Sequence, residues 1–161
     1  MMGADAVRCM RRSAGGASGG HTWWRINITS SDDDHDNYRA SVGELEFRES
    51  VGGPSTTNGG IPYQSAGLNP ERAFNGEPSL YWSAGPFDQL PIALGYHHVA
   101  PVEIVEVAIQ AGTTSTQAAR TPTGFTVDYS DDGISWATIL TVTGEPPWAP
   151  YEIRTYTISE E

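Results

Sequence analysis

The chain has 161 residues, a length that suits one domain with a substantial core and is short for two. Nine basic residues, all of them arginine, stand against 20 acidic residues, and the formal net charge is −11. Such a surface repels the phosphate groups of nucleic acids and of anionic lipids, so the composition argues against both as partners. The single cysteine, Cys9, excludes an internal disulfide framework, and the sequence has no run of 18 apolar residues that could span a membrane.

Residues 1–20 have the composition of an arm attached to a globular domain. They combine Arg8, Arg11 and Arg12 with the run SAGGASGG at 13–20, which is typical of a flexible linker. The first residues have no apolar stretch of the kind found in a secretory signal, so we expect synthesis in a cytoplasm. We predict that residues 1–20 dock on a partner protein and that residues 21–161 form the folded domain.

Alternating apolar residues predict about eight β-strands in the folded domain. Trp24, Ile26 and Ile28 show this alternation in the first strand. Glycine, proline, serine and threonine interrupt the apolar segments about every 8–12 residues, a spacing typical of a sandwich or barrel, and no segment has the periodicity of an amphipathic helix. We therefore predict an all-β fold of two packed antiparallel sheets. The most clearly predicted strands lie at 23–28, 42–48, 92–96, 102–110, 124–130, 137–142 and 152–158.

The segment FTVDYSDDGISW at 125–136 predicts a β-hairpin on local grounds. Phe125, Val127 and Tyr129 alternate with polar residues, and the Ser-Asp-Asp-Gly sequence that follows supplies a tight turn in which Gly133 can adopt a positive φ. Trp136 is expected to return the chain to the core at the start of the next strand. Together with the motifs below, the hairpin favours a binding module over an enzyme.

The acidic run at 32–36 does not match a calcium-binding EF-hand loop. Such a loop needs oxygen ligands at positions 1, 3, 5 and 12 and a glycine at position 6. A loop that starts at Asp32 has Asn37 at position 6 and Gly43 at position 12, and a start at Asp33 has His35 at position 3. The flanking segments are predicted strands, so the prediction is a solvated turn that contains Asp32, Asp33, Asp34 and Asp36.

Motifs for zinc binding and catalysis are absent from the sequence. His97 and His98 are adjacent, so on a strand their side chains point to opposite faces and do not share a metal ion. No spacing identifies the paired carboxylates of a glycoside hydrolase, and there is no G-x-S-x-G elbow, H-E-x-x-H motif or phosphate-binding loop. The sequence therefore predicts a protein that is not an enzyme, with a glycan-active enzyme as the third hypothesis.

Several aromatic residues lie in predicted loops or at strand ends, where they are candidates for ligand contacts. Sugars present apolar C–H faces that stack on exposed rings, while polar neighbours bind the hydroxyl groups. Trp148 lies in the segment EPPWAP and is expected to be exposed, for contact with a partner or a glycan. Trp24, Trp82 and Trp136 are expected to lie in the core.

Three segments resemble the discoidin family, which includes the coagulation-factor type C domains and related carbohydrate-binding modules. They are NPERAFNGEPSLYW at 69–82, FTVDYSDDGISW at 125–136, and WWRINIT with GELEF within 23–47. The resemblance covers most of residues 21–158 and implies an antiparallel jelly-roll β-sandwich of the galactose-binding-like type. In most members the segments that resemble WWRINIT and GELEF come last, whereas here they come first, as in a circular permutation. Similar orders occur in bacteriophage tail and fibre proteins.

Many members of this family hold a structural calcium ion at the loop that contains an Asp-Gly pair. The corresponding position here, residue 75, is asparagine, so one negative charge that favours calcium is lost. The resemblance implies either a structural Ca²⁺ ion or a site held together by neutral contacts. The implied ligands are the backbone oxygens of Arg72 and Glu77 and the side chains of Asn75, Ser79 and Glu44.

In this family, ligands bind at the loops on the rim near the calcium end, and these loops vary most between members. The resemblance therefore implies a location for the ligand and not the identity of the contacts. On position alone, the candidate ligand-binding residues are Asn58, Tyr63, Trp82, His97, Arg120 and Trp148.

These observations lead to a functional hypothesis. The chain is predicted to be a non-catalytic module of a phage virion, in a tail baseplate or fibre, that is made in the bacterial cytoplasm and is oligomeric in the assembly. It would attach to other virion proteins through residues 1–20 and bind host-surface glycans through its loop rim, where many weak contacts act together. The alternative is a purely structural tail or capsid decoration protein without a sugar ligand.

Overall fold

The structure, a computed structural model, describes residues 19–33 and 39–158. The predictions for residues 1–18 of the arm and for Asp34 and Asp36 lie outside these ranges. Within them, no helix is long and apolar enough to cross a membrane. A 3₁₀ helix spans Pro70–Phe74, and a short α-helix, α1, spans Ser115–Ala119. The ten strands of the described ranges are β1 His21–Ser31, β2 Ser41–Val42, β3 Glu44–Arg48, β4 Ile61–Gln64, β5 Trp82–Ser83, β6 Ile92–Val102, β7 Glu106–Gln110, β8 Pro122–Ser130, β9 Ala137–Val142 and β10 Ile153–Thr157.

Strand β1 lies at the centre of a five-stranded antiparallel sheet with the order β4–β6–β1–β8–β9. Trp24, Ile26 and Ile28 of this strand are buried on the inner face, as their alternation predicts. Their partners on both sides are also apolar, since Ile26 lies opposite Leu94 of β6 and Val127 of β8. This face forms one wall of the core.

A three-stranded antiparallel sheet with the order β10–β7–β3 forms the other wall. Phe47 of β3 and Tyr156 of β10 both lie opposite Val107 of β7, and all three side chains are buried. The ring of Tyr156 packs edge to face on Phe125 of the larger sheet, with ring centroids 5.0 Å apart. The two sheets therefore pack face to face.

The predicted all-β antiparallel class is confirmed, whereas the jelly-roll winding stays a prediction. Several strand boundaries differ from the prediction. Residues 42–48 are divided between β2 and β3, which pair with different strands, and β6 continues past residue 96. Residues 102–110 do not form one strand, because β6 extends to Val102, which pairs with His21, and β7 begins only at Glu106. The chain turns between them, where the Val105 N–H donates to the Arg48 carbonyl at 2.9 Å.

The burial of the tryptophans differs in part from the prediction. Trp24 and Trp82 lie in the core, as expected. Trp136 was expected there too, but it is only half-buried and lies on the outer face of the five-stranded sheet. The reason is its position two residues before Thr138, whose hydroxyl donates to Asp128 on that outer face. Strand alternation therefore places the Trp136 indole outside the core.

Trp148 was predicted to be exposed, and this prediction is wrong, because its side chain is only 6% exposed. Its indole N–H donates to the Pro122 carbonyl at 2.9 Å. The Arg154 guanidinium lies over the ring, 4.1 Å from its centroid, and donates to the carbonyls of Pro146 and Pro147. The two prolines thus supply acceptors that hold an arginine over the indole.

We predict that Trp148→Ala destabilises the fold by about 3–5 kcal/mol, the range for the loss of a buried large aromatic side chain. Tyr151→Ala is the matched control, since this neighbouring side chain is 58% exposed, and its effect should stay within about 0.5 kcal/mol. Urea unfolding followed by fluorescence measures both. Equal effects of the two substitutions would show that Trp148 is not part of the core.

Candidate functional site

The outer face of the five-stranded sheet carries a cluster of four rings, Trp23, Tyr63, His97 and Trp136, which we call the aromatic platform. All four side chains are half-buried. Strand register brings them together: Trp23 of β1 lies opposite His97 of β6, and Tyr63 of the edge strand β4 lies opposite Gly95. Because Gly95 has no side chain, Tyr63 can lean over the sheet towards its centre.

Two rings of the platform are nearly parallel and two stand upright against them. Tyr63 and Trp136 have centroids 5.7 Å apart and an angle of 28° between their planes. Trp23 is perpendicular to both, at 89° to Tyr63 and 82° to Trp136. His97 stacks on Trp23 at 3.9 Å and 8°. Tyr63 and Trp136 therefore form one stacked pair, and Trp23 with His97 forms a second stacked pair that stands perpendicular to the first.

Neighbouring residues cover one face of Trp136 and both faces of Trp23. The Arg25 guanidinium lies 4.0 Å from the Trp136 centroid, so it covers one face of that ring. Gly133 packs on Trp23, where a Cβ atom would lie 2.8 Å from the ring, and its φ of 71° also favours glycine. Since His97 covers the other face of Trp23, this indole presents only its edge.

The charge of Arg25 is balanced within the protein. Its Nε donates to Asp128 Oδ2 at 2.8 Å, and Asp128 Oδ1 accepts from the Thr138 hydroxyl at 2.8 Å. Asp128 is buried, so it depends on these two donors. The pair makes the base of the platform neutral and fixes the guanidinium under Trp136.

Hydrogen bonding separates the tryptophans of the core from those of the platform. The indole N–H of Trp24 donates to the His21 and Val102 carbonyls, and that of Trp82 donates to Gln64 Oε1. Within the part of the chain that the structure describes, the indole N–H groups of Trp23 and Trp136 have no protein acceptor. Because both side chains are only half-buried, these donors are candidates for contact with a ligand.

The structure brings together two of the six predicted ligand-binding residues, Tyr63 and His97. Trp82 is fully buried and Trp148 is nearly so, so neither can contact a ligand, which corrects both predictions. Asn58 is exposed on a different loop, in a groove formed with Glu49, Pro54 and Val102 among others. The prediction that the two adjacent histidines face opposite ways is confirmed. His97 lies on the outer face, whereas His98 is buried and shares a hydrogen bond of 2.9 Å with the Thr56 hydroxyl.

Arg120, the sixth predicted residue, lies at the opposite end of the sheet from His97. Its Nε donates to Asp33 Oδ2 at 2.9 Å, next to the pairing of Ser31 with Pro122. There it lines a groove of about 270 Å³ at the rim of the sandwich. The other lining residues are Leu68, Asn69, Arg72, Tyr81 and Ser83.

The predicted ligand-binding set does not include Trp23, Arg25 or Trp136. A signal for Trp23 and Arg25 is present in the sequence, because they alternate with the core residues Trp24 and Ile26 and must face outward. No comparable signal shows that Tyr63 and Trp136, 73 positions apart by their numbers (136 − 63), meet above Arg25.

Glu44 at the start of β3 contacts the Asn75–Gly76 bend, as the resemblance implies. The Glu77 N–H donates to Glu44 Oε1 at 3.0 Å and also to Asn75 Oδ1 at 2.8 Å. Burial raises the pKa of Glu44 from an ordinary 4.5 to about 7, against the opposing effect of backbone N–H groups at 75–77. The carboxylate thus joins two segments that are far apart in the chain.

The residues at this bend fit a calcium ion only in part. The set contains oxygen atoms of the kind that calcium prefers, but the side-chain oxygens of Glu44 and Asn75 already accept the same N–H group. Among the described residues, no group of three or more His, Cys, Asp or Glu side chains could hold a metal ion. Ser79 is exposed on the same loop. The calcium site stays a prediction.

Comparison with known proteins finds no matching family model, no similar curated protein and no similar solved structure. The resemblance to the discoidin family therefore rests on the three sequence segments, and it stays a prediction.

The calcium prediction is tested by differential scanning calorimetry of the full chain with added Ca²⁺ and with a chelator. If calcium is a structural ligand of this loop, the chelator lowers the melting temperature of the protein and has no effect on Glu44→Gln. An unchanged melting temperature would show that calcium does not stabilise this fold.

The raised pKa of Glu44 predicts a defined pH dependence of stability. Its protonated form is favoured in the folded state, so its contribution to stability is fully present below pH 4.5 and is lost as the pH rises to about 7. Relative to Glu44→Gln, the wild-type protein should therefore lose stability across this window. Urea unfolding in chelator at several pH values measures the difference, with the exposed Glu71→Gln as control. A difference that does not vary with pH would contradict the prediction.

Proposed function

We propose that this protein is a non-catalytic binding module that recognises glycans through the aromatic platform. The observation that carries the proposal is the gathering of four half-buried rings on the outer face of one sheet, where Tyr63 stacks on Trp136 and His97 stacks on Trp23. Flat aromatic surfaces accept the apolar C–H faces of sugar rings, and sites of this kind combine them with a few polar groups.

The polar groups that a sugar needs lie next to the rings of the platform. The indole N–H groups of Trp23 and Trp136 are donors with no acceptor among the described residues. Arg25 uses Nε for Asp128, and its terminal Nη groups have no hydrogen-bond acceptor within the described ranges. These donors suit hydroxyl groups, which accept and donate hydrogen bonds.

The proposal moves the glycan site from the loop rim to the face of the sheet. The rim candidates are divided between the buried core, the Asn58 loop and the Arg120 groove, whereas the platform gathers four rings in one place. No catalytic step is proposed, because the platform is an open surface whose one charged pair, Arg25 and Asp128, is engaged internally.

The location in a phage virion is part of the proposal and rests on the resemblance of the sequence. The position of Gly20 in the fold is consistent with attachment through residues 1–20. Gly20 lies against Pro101 and Val102, and β1 begins there, whereas Arg120 and Asp33 lie where β1 ends. The platform lies near this same end of β1, because Trp23 follows Gly20 closely in the sequence, so a partner held there would border the platform.

A second candidate function is contact with another virion protein, as in the purely structural alternative. Three exposed aliphatic side chains favour a protein contact. Ile61 lies opposite His97 in the sheet and is 65% exposed, and Val99 of β6 is 76% exposed. Ile134 follows Gly133 and is 82% exposed. Exposed apolar groups beside aromatic rings are typical of protein interfaces.

A glycan array probed with an oligomerised form of the full chain tests the proposal, because multivalency reveals weak contacts. For a glycan that binds, Trp136→Ala and Tyr63→Ala should each weaken the affinity at least about tenfold, since each removes a stacking surface. Ile134→Ala is the matched control and should change the affinity by no more than about twofold.

Folding of each variant is checked by circular dichroism and melting temperature. If the folded, oligomerised wild-type protein binds no glycan, the glycan proposal fails. Contact with another virion protein is then the better supported function.

A further inference from the structure

We propose that, in the free protein, residues 1–18 dock in a groove of their own domain, between the loop at 49–58 and Val102. This groove lies beside the point where the described chain begins. The inference is independent of glycan binding, and it adds a contact that residues 1–18 make before they meet a partner protein.

The groove has a volume of about 480 Å³ and is lined by polar and apolar side chains. A cavity of this volume holds a small ligand or a few side chains of a peptide. One wall is anchored to strand β3, because the backbone N–H and the hydroxyl of Thr56 both donate to the Phe47 carbonyl at 2.8 Å. The lining residues include Glu49, Ser50, Pro54, Thr56, Asn58 and Val102.

The described chain begins at the edge of this groove. Gly20 packs so closely on β6 that a Cβ atom there would lie 2.9 Å from the Pro101 side chain and 3.2 Å from the Val102 nitrogen. Val102 itself lines the groove. The residues that precede Gly20 therefore leave the domain next to the groove, and they need no long path to reach it.

Two exposed carboxylates beside the groove lack a positive partner. Glu49 lines the groove, and Glu103 follows the last residue of β6. Neither has a hydrogen-bond or ion-pair partner among the described residues. The neighbouring Arg48 is already paired with Glu46 and Glu106. The two free carboxylates therefore favour a cationic segment in the groove.

Residues 1–18 supply that positive charge. They contain three of the nine arginines and one acidic residue, a formal charge of +2 (3 − 1). Since the whole chain is −11, residues 19–161 carry −13 (−11 − 2). Val7 and Met10 stand among Arg8, Arg11 and Arg12. The same segment therefore brings apolar side chains for the Pro54 and Val102 walls.

The length of the tether favours the groove of the same copy over that of a second copy. The arginines are joined to the domain by SAGGASGG at 13–20. A Gly- and Ser-rich segment of this length spans about 15 Å on average. Such a tether gives the arginines an effective concentration of about millimolar at the groove, which exceeds that of a second copy in dilute solution.

The single thiol of the chain, Cys9, allows this contact to be trapped as a disulfide. Asn58→Cys and Ser50→Cys each place a second thiol at the groove. Ile134→Cys is the matched control, because this exposed residue follows β8, which pairs with β1 on the side opposite β6. Each full-length variant is oxidised with glutathione disulfide in dilute solution. Mass spectrometry under non-reducing conditions separates disulfides within one chain from disulfides between two chains.

We expect the disulfide within one chain to form at least about tenfold faster at the two groove positions than at position 134. In the Asn58→Cys protein, the rate should fall at least about threefold in ~500 mM NaCl, which screens the attraction between charges. Adding Glu49→Gln and Glu103→Gln should have the same effect, whereas adding the exposed Glu71→Gln should change the rate by less than about twofold.

Circular dichroism checks that each variant is folded, and two groove positions guard against the failure of one of them. Equal rates at the groove and at position 134, or a rate that depends on neither salt nor the two glutamates, would overturn the inference. Faster formation of disulfides between two chains would also overturn it, because the groove would then hold residues 1–18 of another copy.

Discussion

The alternation of side chains along β1 is the constraint on which the rest of the structure depends. This central strand directs Trp24 and Ile26 into the core and Trp23 and Arg25 to the outer face. It pairs with β6 on one side and β8 on the other, so a slip of one residue would exchange the two faces. The arginine would then enter the core and two large apolar groups would leave it. The register that builds the core therefore also builds the platform.

The two faces meet their polar requirements in different ways. Inside the sandwich, each buried indole N–H has a carbonyl or amide acceptor, because an unpaired donor in the core is costly. On the outer face, Asp128 is buried beneath the rings and is compensated by Arg25 and Thr138, while the platform indoles leave their N–H groups to solvent. The protein thus fixes the positions of the rings with an internal ion pair and keeps their donors available.

Local patterns predict the strands and the hairpin at 125–136 well, since alternation and turn residues act over a few positions. They fail for Trp136 and Trp148, each beside a turn. The side of Trp136 is decided by the pairing of β9 with β8. The burial of Trp148 is decided by contacts with Arg154 and Pro122, which lie outside the segment EPPWAP. Turn residues by themselves indicate exposure but do not determine it.

The sequence by itself determined the all-β class, the first strand and hairpin, the acidic surface and the opposite directions of His97 and His98, because these depend on composition and on the two-residue period of a strand. Only the tertiary structure decided that Tyr63 meets Trp136 and that Glu44 meets the bend at Asn75. Both contacts join strands or loops far apart in the chain. Their formation depends on the order of strands in a sheet and the packing of the two sheets, which no local pattern specifies.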